Sequence, residues 1–371
     1  TGAIVLSDLD LKTGALSLKG ALSLDAKSWP KSIAVSGEIG LPGDASIILP
    51  FSNATTSLSG ATLNIAYDAN ISDDLNAQIN VANFASPLLA VKVIRLHANG
   101  ALADTLETAK KVHADITFAS AGLNFTDPNI QQAVGDQLTG GLKLNYGGGD
   151  TLALDNLDLS GSNYGLTGSL NIRGLTDDFE TKVETILRAD DLGRFSSITG
   201  TDLSGRAELS LQGTVDLGGA FDLDIEGTTT HLALGIKQAD AVLSGRTKLI
   251  LRAVRDTEGT RLPQLTVRND QISLSGSADL KTDASTGKFD LSLMNSAIID
   301  SNLRGPIALN GTVSQDLTGW SVDTNAIGPF DARTSIKGRV TGQDPSVNFE
   351  VFVPNINQIL PQYRGASRLK G

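Results

Sequence analysis

The side chains that most often carry acid–base or metal chemistry are scarce in this sequence. It has three histidines, His97, His113 and His231, and no cysteine. None of the histidines lies in a glycine-flanked nucleophile context, and a chain without cysteine has no thiolate to bind zinc or attack a substrate. We therefore expect no catalytic residues, no metal site, no cofactor and no enzymatic activity.

The spacing of the carboxylates is typical of the solvent-exposed face of β-strands. Asp222, Asp224 and Glu226 lie two residues apart, and residues two apart in a strand point to the same face. The stretch 147–152 resembles the calcium-binding nonapeptide of parallel β-rolls, but it occurs once, whereas that fold needs many copies. Solvated strand faces are therefore expected rather than calcium or acid–base sites.

The net charge of the chain indicates which kinds of partner it can bind. A formal net charge of −11 argues against nucleic acid, which requires a basic face. One stretch is locally basic, and it contains Arg246, Lys248, Arg252, Arg255, Arg261 and Arg268. We interpret it as an ordinary outer sheet face, with a patch for phosphate headgroups or for the acidic surface of a partner as the alternative.

The elements that must carry these residues are predicted by an apolar–polar alternation with a period of two. This period is typical of half-buried antiparallel strands, each with one apolar and one polar face. The residues expected on the apolar face are Leu16, Leu18, Leu22, Leu24, Leu209, Leu211, Val215, Leu217, Phe221, Leu223, Ile225, Leu232, Leu234, Ile236, Leu249, Leu251, Ile272, Leu274, Leu280, Phe289, Leu291, Leu293, Ile307, Leu309, Val313, Phe349, Val351 and Val353.

Short turn signals separate these runs. The segments 147–150, 218–219, 256–259 and 283–287 fit hairpin connections, and the spacing predicts roughly 20 to 28 strands. Helix is scarce. The strongest candidate is 127–138, with Asp127 as its cap, and 191–198 and 355–360 each fit one short amphipathic turn. The segment 104–112 is ambiguous.

An internal repeat accompanies the strands. The unit aliphatic–x–Gly recurs, for example at Leu203-Ser204-Gly205 and Leu243-Ser244-Gly245, and its glycine falls on the apolar face. We expect bends or narrow points at these glycines. The short turns at 191–198 and 355–360 precede similar strand openings, which indicates a quasi-one-dimensional stack.

A stack of some two dozen strands must cover its apolar face. A closed sandwich usually has more aromatic residues, and aromatics are 5% of this chain. Two tryptophans and four tyrosines do not supply the aromatic girdles of an outer-membrane barrel. A long antiparallel sheet, folded over an aliphatic groove, fits better. It would extend roughly 115 Å at about 4.8 Å per strand, and its lining suits flexible acyl chains.

The strand openings and the phrase 271–280 (QISLSGSADL) resemble the TamB branch of the AsmA-like family, the inner-membrane subunit of the translocation and assembly module. The resemblance covers nearly the whole chain and implies an elongated β-taco fold. It also implies a periplasmic location in a diderm bacterium, an inner-membrane anchor, and phospholipid movement between the two membranes. Support of outer-membrane protein and autotransporter assembly with a TamA-like barrel partner is implied as well. The family has no catalytic motif.

The chain begins without methionine, ends on what reads as a new strand, and has no apolar run of membrane-helix length. We expect one continuous repetitive segment, 1–371, of a longer protein, with candidate subdivisions near 126–140 and 188–200. The anchor and the contacts to the barrel partner would then lie outside this chain. The alternative is a mature soluble protein after processing.

Three functions stay open at this point. The first is a conduit for phospholipid acyl chains. The second is a strand-pairing scaffold or chaperone for outer-membrane proteins that moves no lipid. The third is a secreted β-helical adhesin passenger, whose coils would be regular in length, whereas the strand runs here are unevenly spaced.

Overall fold

The computed structural model describes residues 2–49, 56–105, 108–175, 179–216, 218–282, 284–298, 304–342, 344–358 and 362–371. Within them lie 25 strands and three short α-helices. Each strand ladder described is antiparallel. The predicted all-β antiparallel architecture with few short helices is therefore confirmed, as is the predicted number of strands.

The chain divides into two compact units. Unit 1 contains Thr1–Ile186 and Ser197–Gly200, and unit 2 contains Leu187–Ser196 and Thr201–Gly371. The boundary passes through β14 (Glu180–Ala189) and α2 (Ser196–Thr199), which follows the 3₁₀ helix Leu192–Phe195. The expectation of a single continuous segment remains a prediction.

Unit 1 is an antiparallel ladder that short additional strands interrupt in sequence at two places. Its strands are β1 (Ile4–Lys12), β2 (Leu16–Leu24), β3 (Pro30–Gly40), β4 (Ile47–Ile48), β5 (Ser57–Leu58), β6 (Gly60–Asp68), β7 (Ser72–Ala85), β8 (Leu89–Thr105), β9 (Thr108–Ala121), β10 (Asn124–Phe125), β11 (Gln137–Tyr146), β12 (Thr151–Gly161) and β13 (Tyr164–Arg173). Strand β3 pairs directly with β6, and β9 pairs directly with β11. The short strands β4, β5 and β10 therefore lie outside the main ladder.

Unit 2 is a simple meander in which each strand pairs with the next. Its strands are β15 (Ser204–Val215), β16 (Phe221–Ala233), β17 (Arg246–Asp256), β18 (Gly259–Arg268), β19 (Ile272–Leu280), β20 (Thr286–Leu293), β21 (Ile307–Asp316), β22 (Gly319–Ile327), β23 (Arg333–Arg339), β24 (Ser346–Val353) and β25 (Ser367–Lys370). The ten intervals between eleven strands correspond to about 48 Å of sheet at ~4.8 Å each.

A meander places alternate connections at opposite ends of its strands. In unit 2 one end carries 234–245, 269–271, 294–306, 328–332 and 354–366. These connections contain α3 (Lys237–Leu243) and the 3₁₀ helices Ser296–Ile298, Pro329–Asp331 and Ile356–Gln358. We call this end the helical edge. The opposite end, the turn edge, carries 216–220, 257–258, 281–285, 317–318 and 340–345.

Three of the five hairpins at the turn edge contain the same type of side-chain hydrogen bond. In each of the three, an aspartate carboxylate accepts a hydrogen bond from a backbone N–H two to four residues ahead. Asp216 accepts from Ala220, Asp256 from Glu258 and Asp316 from Thr318, at 2.8 to 2.9 Å. Such Asx turns satisfy the backbone locally, so these connections need no helix. The predicted hairpins at 218–219 and 256–259 are confirmed.

The helix predictions are confirmed in part. Helix α1 (Pro128–Val134) begins where expected, with the Asp127 carboxylate accepting from the N–H of Asn129 at 2.8 Å, but it is shorter because β11 starts at Gln137. The turns near 191–198 and 355–358 are present, and 359–360 lie outside the described residues.

Helix α3 was not predicted, because Leu232, Leu234 and Ile236 continue the strand alternation in the sequence. The expectation for Ile236 was wrong. Strand β16 ends at Ala233, and Ile236 is the N-cap residue of α3, 57% exposed.

Candidate functional site

The pairing register of unit 2 brings the alternating apolar residues onto one face. Directly opposed residues of antiparallel strands lie on the same face, with their Cβ atoms about 4.5–5.5 Å apart. Leu211 opposes Ile225, Ile225 opposes Leu251, and the chain of opposition continues across the sheet. We call this surface of β15–β25 the apolar face.

Two rows of opposed residues run the length of the apolar face. The Leu211 row is Leu211, Ile225, Leu251, Leu265, Gly276, Phe289, Gly311, Thr324, Ile336 and Phe349. The Leu209 row, one step nearer the helical edge, is Leu209, Gly227, Leu249, Val267, Leu274, Leu291, Leu309, Ala326, Thr334, Val351 and Leu369.

A third row lies on the turn-edge side of the Leu211 row and contains Leu223, Leu262, Ala278, Val313 and Val347. At the turn edge itself the face ends in a rim. The rim row is Val215, Phe221, Arg255, Thr260 and Leu280, and Gln315 opposed to Trp320 lies at the same level. The predicted residue Leu217 lies outside the described residues.

The helical edge of the apolar face is a closed core. Val242 and Leu243 of α3 pack with Ile272 and Leu293, and all four are less than 10% exposed. The partly buried residues Leu232, Leu234, Val267, Leu291 and Ile307 pack around them. Leu232 and Leu234 reach this face because a bulge opposite Gly205, with His231 at φ 54°, reverses the parity of β16.

Polar groups hold α3 in place. The Asn269 side-chain amide donates to the carbonyl of Val242 and to the hydroxyl of Thr247, both at 2.8 Å. The Asn269 carbonyl oxygen accepts from the N–H groups of Gln271 and Ile272. At the start of the helix, the Asp240 carboxylate accepts from the N–H of Leu234 at 2.7 Å. These bonds fix the helix over the face.

Burial falls from the helical edge towards the turn edge. Thr229, Thr247, Ile272, Leu293 and Val353, all near the helical edge, are 1–9% exposed. The Leu209 and Leu211 rows are mostly half-buried, with Thr324 buried and Phe349 and Leu369 exposed. On the turn-edge side Leu280 is 40% exposed and Val347 38%, although Ala253 of the third row is buried. The described core covers the helical edge of the apolar face over β16–β21, whereas Leu280 and Val347 leave the turn edge accessible.

A cleft of about 660 Å³ lies among the turn-edge ends of β18–β21. Its walls combine third-row residues, among them Leu262 and Val313, with the charged residues Arg261, Asp279 and Lys288. It is a shallow apolar hollow with a charged border and no convergent set of polar groups.

Glycines allow the strands of the apolar face to approach closely. Gly213 has φ 145°, and a Cβ built on it would lie 1.9 Å from the carbonyl oxygen of Asp222. A Cβ on Gly227 would lie 2.0 Å from that of Glu208. No side chain fits at either position.

Of the two glycines named from the sequence, Gly205 fits the expectation, since a Cβ on it would lie 2.4 Å from the carbonyl oxygen of His231. The expectation was wrong for Gly245, which precedes β17 and has no atom within 4 Å of such a Cβ.

The charged residues lie mainly on the opposite, polar face and pair across neighbouring strands. Lys248 pairs with Glu226 at 2.6 Å, and Arg252 pairs with Asp222 at 3.0 Å. Lys337 pairs with Asp323 at 2.7 Å, and the hydrogen bond to that carboxylate raises the pKa of Lys337. These exposed pairs contribute little stability each, but they indicate a solvated outer face.

Unit 1 has the same kind of face. Leu16, Leu18, Leu22 and Leu24 lie on one side of β2, and Leu16 opposes Ile39 and Leu22 opposes Ile33. The row that starts at Leu18 passes through Gly37 and then through four residues absent from the sequence prediction: Leu63, Ile79, Leu96 and Phe118. The alternation around these residues is visible in the sequence.

The histidines do not form a site. His97 lies beside the Asn76 amide at 3.4 Å, His113 contacts the Asn145 side chain, and His231 is an exposed bulge residue. Within the described ranges, no group of three or more metal-ligating side chains comes together.

Comparison of the chain with protein-family models, curated proteins and solved structures finds no match. Over the residues that the structure describes, none of the helices has the length and apolar character to cross a bilayer.

Proposed function

We propose that this chain is a non-enzymatic conduit whose apolar face carries the acyl chains of phospholipids between the inner and outer membranes. The observation that carries the proposal is the pair of aliphatic rows in unit 2. The Leu211 row runs across ten consecutive strands and the Leu209 row across eleven, and most of their residues are half-buried rather than covered by other parts of the described chain. Monomeric proteins rarely expose continuous apolar surface without a partner or ligand for it.

The chemistry of the face fits a flexible chain rather than one defined ligand. Leucine, isoleucine, valine and glycine repeat from strand to strand, and a specific small-molecule site would instead have a few convergent polar groups in an enclosed pocket. A uniform lining offers similar contacts at each step, so an acyl chain can slide along it at little cost. Affinity at each position should be low.

The setting of the proposal comes from the sequence resemblance to the TamB branch of the AsmA-like proteins. On that basis the chain belongs to an inner-membrane-anchored protein in the periplasm of a diderm bacterium. Phospholipids are its cargo, and support of outer-membrane protein and autotransporter assembly is a second role. A TamA-like barrel would be reached through regions outside this chain.

One observation argues against the adhesin, and the experiment below distinguishes the scaffold from the conduit. A β-helical adhesin is built from parallel coils, and the described ladders are antiparallel, which favours the conduit. A strand-pairing scaffold for outer-membrane proteins would bind unfolded strands and no lipid, and the experiment below distinguishes it.

The experiment is photo-crosslinking in lipid vesicles. A crosslinker replaces Leu211 in the middle of the apolar face, and a second replaces Ser210 on the polar face as a matched control. The conduit predicts phospholipid adducts at Leu211 and none at Ser210. Absence of adducts at Leu211, or equal yields at both positions, would contradict it. With an unfolded outer-membrane barrel protein added to the vesicles, adducts at Leu211 to that protein and none to lipid would establish the scaffold instead.

A further inference from the structure

Arg255 lies on the apolar face, not with the other cations of the basic stretch. In β17 it has the parity of Leu249 and Leu251, and it opposes Phe221 on one side and Thr260 on the other. Arg246, Lys248 and Arg252 have the opposite parity. For Arg255, the interpretation of the basic stretch as an outer sheet face was therefore wrong.

Two features distinguish Arg255 from the other residues of the apolar face. Among the described strand residues whose register puts them on the apolar face of β15–β25, it is the one ionisable side chain. It also forms no ion pair with a described residue, because the neighbouring Asp256 pairs with Arg261 and Asp222 pairs with Arg252. Its side chain is exposed.

The position of Arg255 in the face is at its accessible boundary. It belongs to the rim row at the turn edge, and the helical edge is filled by Val242 and Leu243 of α3. At the same level, Gln315 opposes Trp320. Arginine, glutamine and tryptophan combine an apolar stem or ring with a polar end, a combination suited to a boundary between apolar surface and water.

We propose that the turn edge is the headgroup side of the groove, and that Arg255 binds the phosphate of a glycerophospholipid whose acyl chains lie on the Leu209 and Leu211 rows. This inference rests on the proposed conduit function. A guanidinium offers planar paired donors that match phosphate oxygens. An unpaired cation at the open side of an aliphatic surface would select anionic over zwitterionic headgroups.

The first test measures headgroup selection. The purified chain is incubated with vesicles of equimolar phosphatidylglycerol and phosphatidylcholine, and bound lipid is quantified by mass spectrometry for the wild type, Arg255→Gln and Arg268→Gln. Arg268 is the matched control, because it is exposed, lies on the polar face opposite Lys248, and forms no ion pair with a described residue.

The wild type should prefer phosphatidylglycerol by about fivefold at low salt, the size expected for one cation near an anionic lipid. Arg255→Gln should abolish this preference without reducing total lipid, and Arg268→Gln should preserve it. Equal preference in the wild type and Arg255→Gln, or equal loss in both variants, would overturn the inference. Absence of lipid from all three would instead contradict the conduit. In a further arm, inorganic phosphate is added at the same concentration as the lipid. Loss of the phosphatidylglycerol preference in this arm would show a site for free phosphate and would also overturn the inference.

The second test locates the two ends of the lipid. Phosphatidylglycerol carrying a photoreactive group in the headgroup should label peptides at the turn edge, around 255–261 and 315–320. The same lipid with the group in the acyl chain should label the Leu209 and Leu211 rows. Headgroup labelling of α3 would reverse the orientation and overturn the proposal, while acyl-chain labelling of the rows would leave the conduit intact.

Discussion

The hairpin ends of the strands differ in burial between the two units: in unit 1 this end carries the turns 69–71 and 147–150, and in unit 2 it is the turn edge. In unit 1, Tyr67 on β6 is 5% exposed, and its hydroxyl donates to the carbonyl of Leu102 on β8 at 3.1 Å. Ala98 and Ala114 beside it are also buried. In unit 2 the corresponding rim residues are half-buried or exposed, and the rim contains Arg255.

The difference shows that alternation alone does not decide whether such a face is closed. Both units follow the same period of two, yet in unit 1 the Tyr67 side chain crosses β7 and covers the face at that place, while Ile79 and Leu96 stay half-buried. In unit 2 the cover described lies at the helical edge, where α3 and Ile298 of the 3₁₀ helix Ser296–Ile298 supply it. A substitution at a closed edge should lower the free energy of unfolding as much as one in a protein core does. A substitution at an open edge should lower it as little as one on the surface.

The largest expected effect compares two leucines on neighbouring strands. Leu293→Asp introduces a charge into the closed edge, where Leu293 is 3% exposed, and should lower the free energy of unfolding of unit 2 by more than about 4 kcal/mol. Leu280→Asp, at a position 40% exposed on the same face, should cost less than ~1 kcal/mol. Denaturant titration measures both. Similar costs would show that the turn edge is also a closed core.

A smaller effect is expected where α3 is attached. Asn269→Ala removes the bonds to Val242 and Thr247 and those from Gln271 and Ile272. It should cost about 2 kcal/mol, because partly buried groups lose their partners. Asn310→Ala, on the exposed polar face, should change stability by under ~0.5 kcal/mol. Hydrogen exchange should then accelerate in 237–243 for Asn269→Ala alone. Unchanged exchange there would mean that packing by itself holds the helix.

In unit 1, Tyr67→Phe tests the cover directly. Loss of the hydrogen bond to Leu102 should lower stability by about 1 kcal/mol. Tyr146→Phe serves as the control, since its hydroxyl donates to Gly149 in an exposed hairpin, and it should change stability by less than ~0.5 kcal/mol. If the two variants behave alike in thermal unfolding, the Tyr67 hydroxyl does not contribute to closing the face.

The smallest effect concerns a hairpin of the open edge. The hydrogen bond from the Thr318 hydroxyl, then that from its backbone N–H, and then the charge of Arg339 hold the pKa of Asp316 below its ordinary value. A lowered pKa stabilises the folded state above the unfolded pKa, and this contribution is lost as the pH falls through the folded pKa. Thr318→Ala should raise the pKa of Asp316 in an NMR titration, and Thr312→Ala should leave it unchanged. An unshifted pKa in Thr318→Ala would exclude the hydroxyl as the cause.

The alternation was sufficient to predict the fold class and most of the face. It predicted the strands, the hairpins at 218–219 and 256–259, and the shared face of residues as distant as Leu211 and Phe349. This works because side-chain direction in a strand depends only on parity, and antiparallel pairing preserves the face from strand to strand.

The closed and open edges could not be predicted in this way. Helix α3 could not be predicted because Leu232, Leu234 and Ile236, which precede it, alternate like the residues of a strand. The bulge at His231 reverses the parity of β16, and no obvious sequence signal marks it. Arg255 was detectable, since it shares the parity of Leu249 and Leu251. Its position at an accessible boundary depends on which connections contain helices, a property of the assembled meander.

The most direct test of the central claim is mass spectrometry of lipid extracted from the purified chain, compared with Leu211→Arg and Leu251→Asp. Both substitutions place a charge in the Leu211 row, on an accessible part of the face. The wild type should retain phospholipid, and both variants should lose it while keeping the β-sheet circular dichroism spectrum and cooperative unfolding of the wild type. A wild type without lipid, or variants that unfold instead of losing lipid, would contradict the conduit and indicate a closed core.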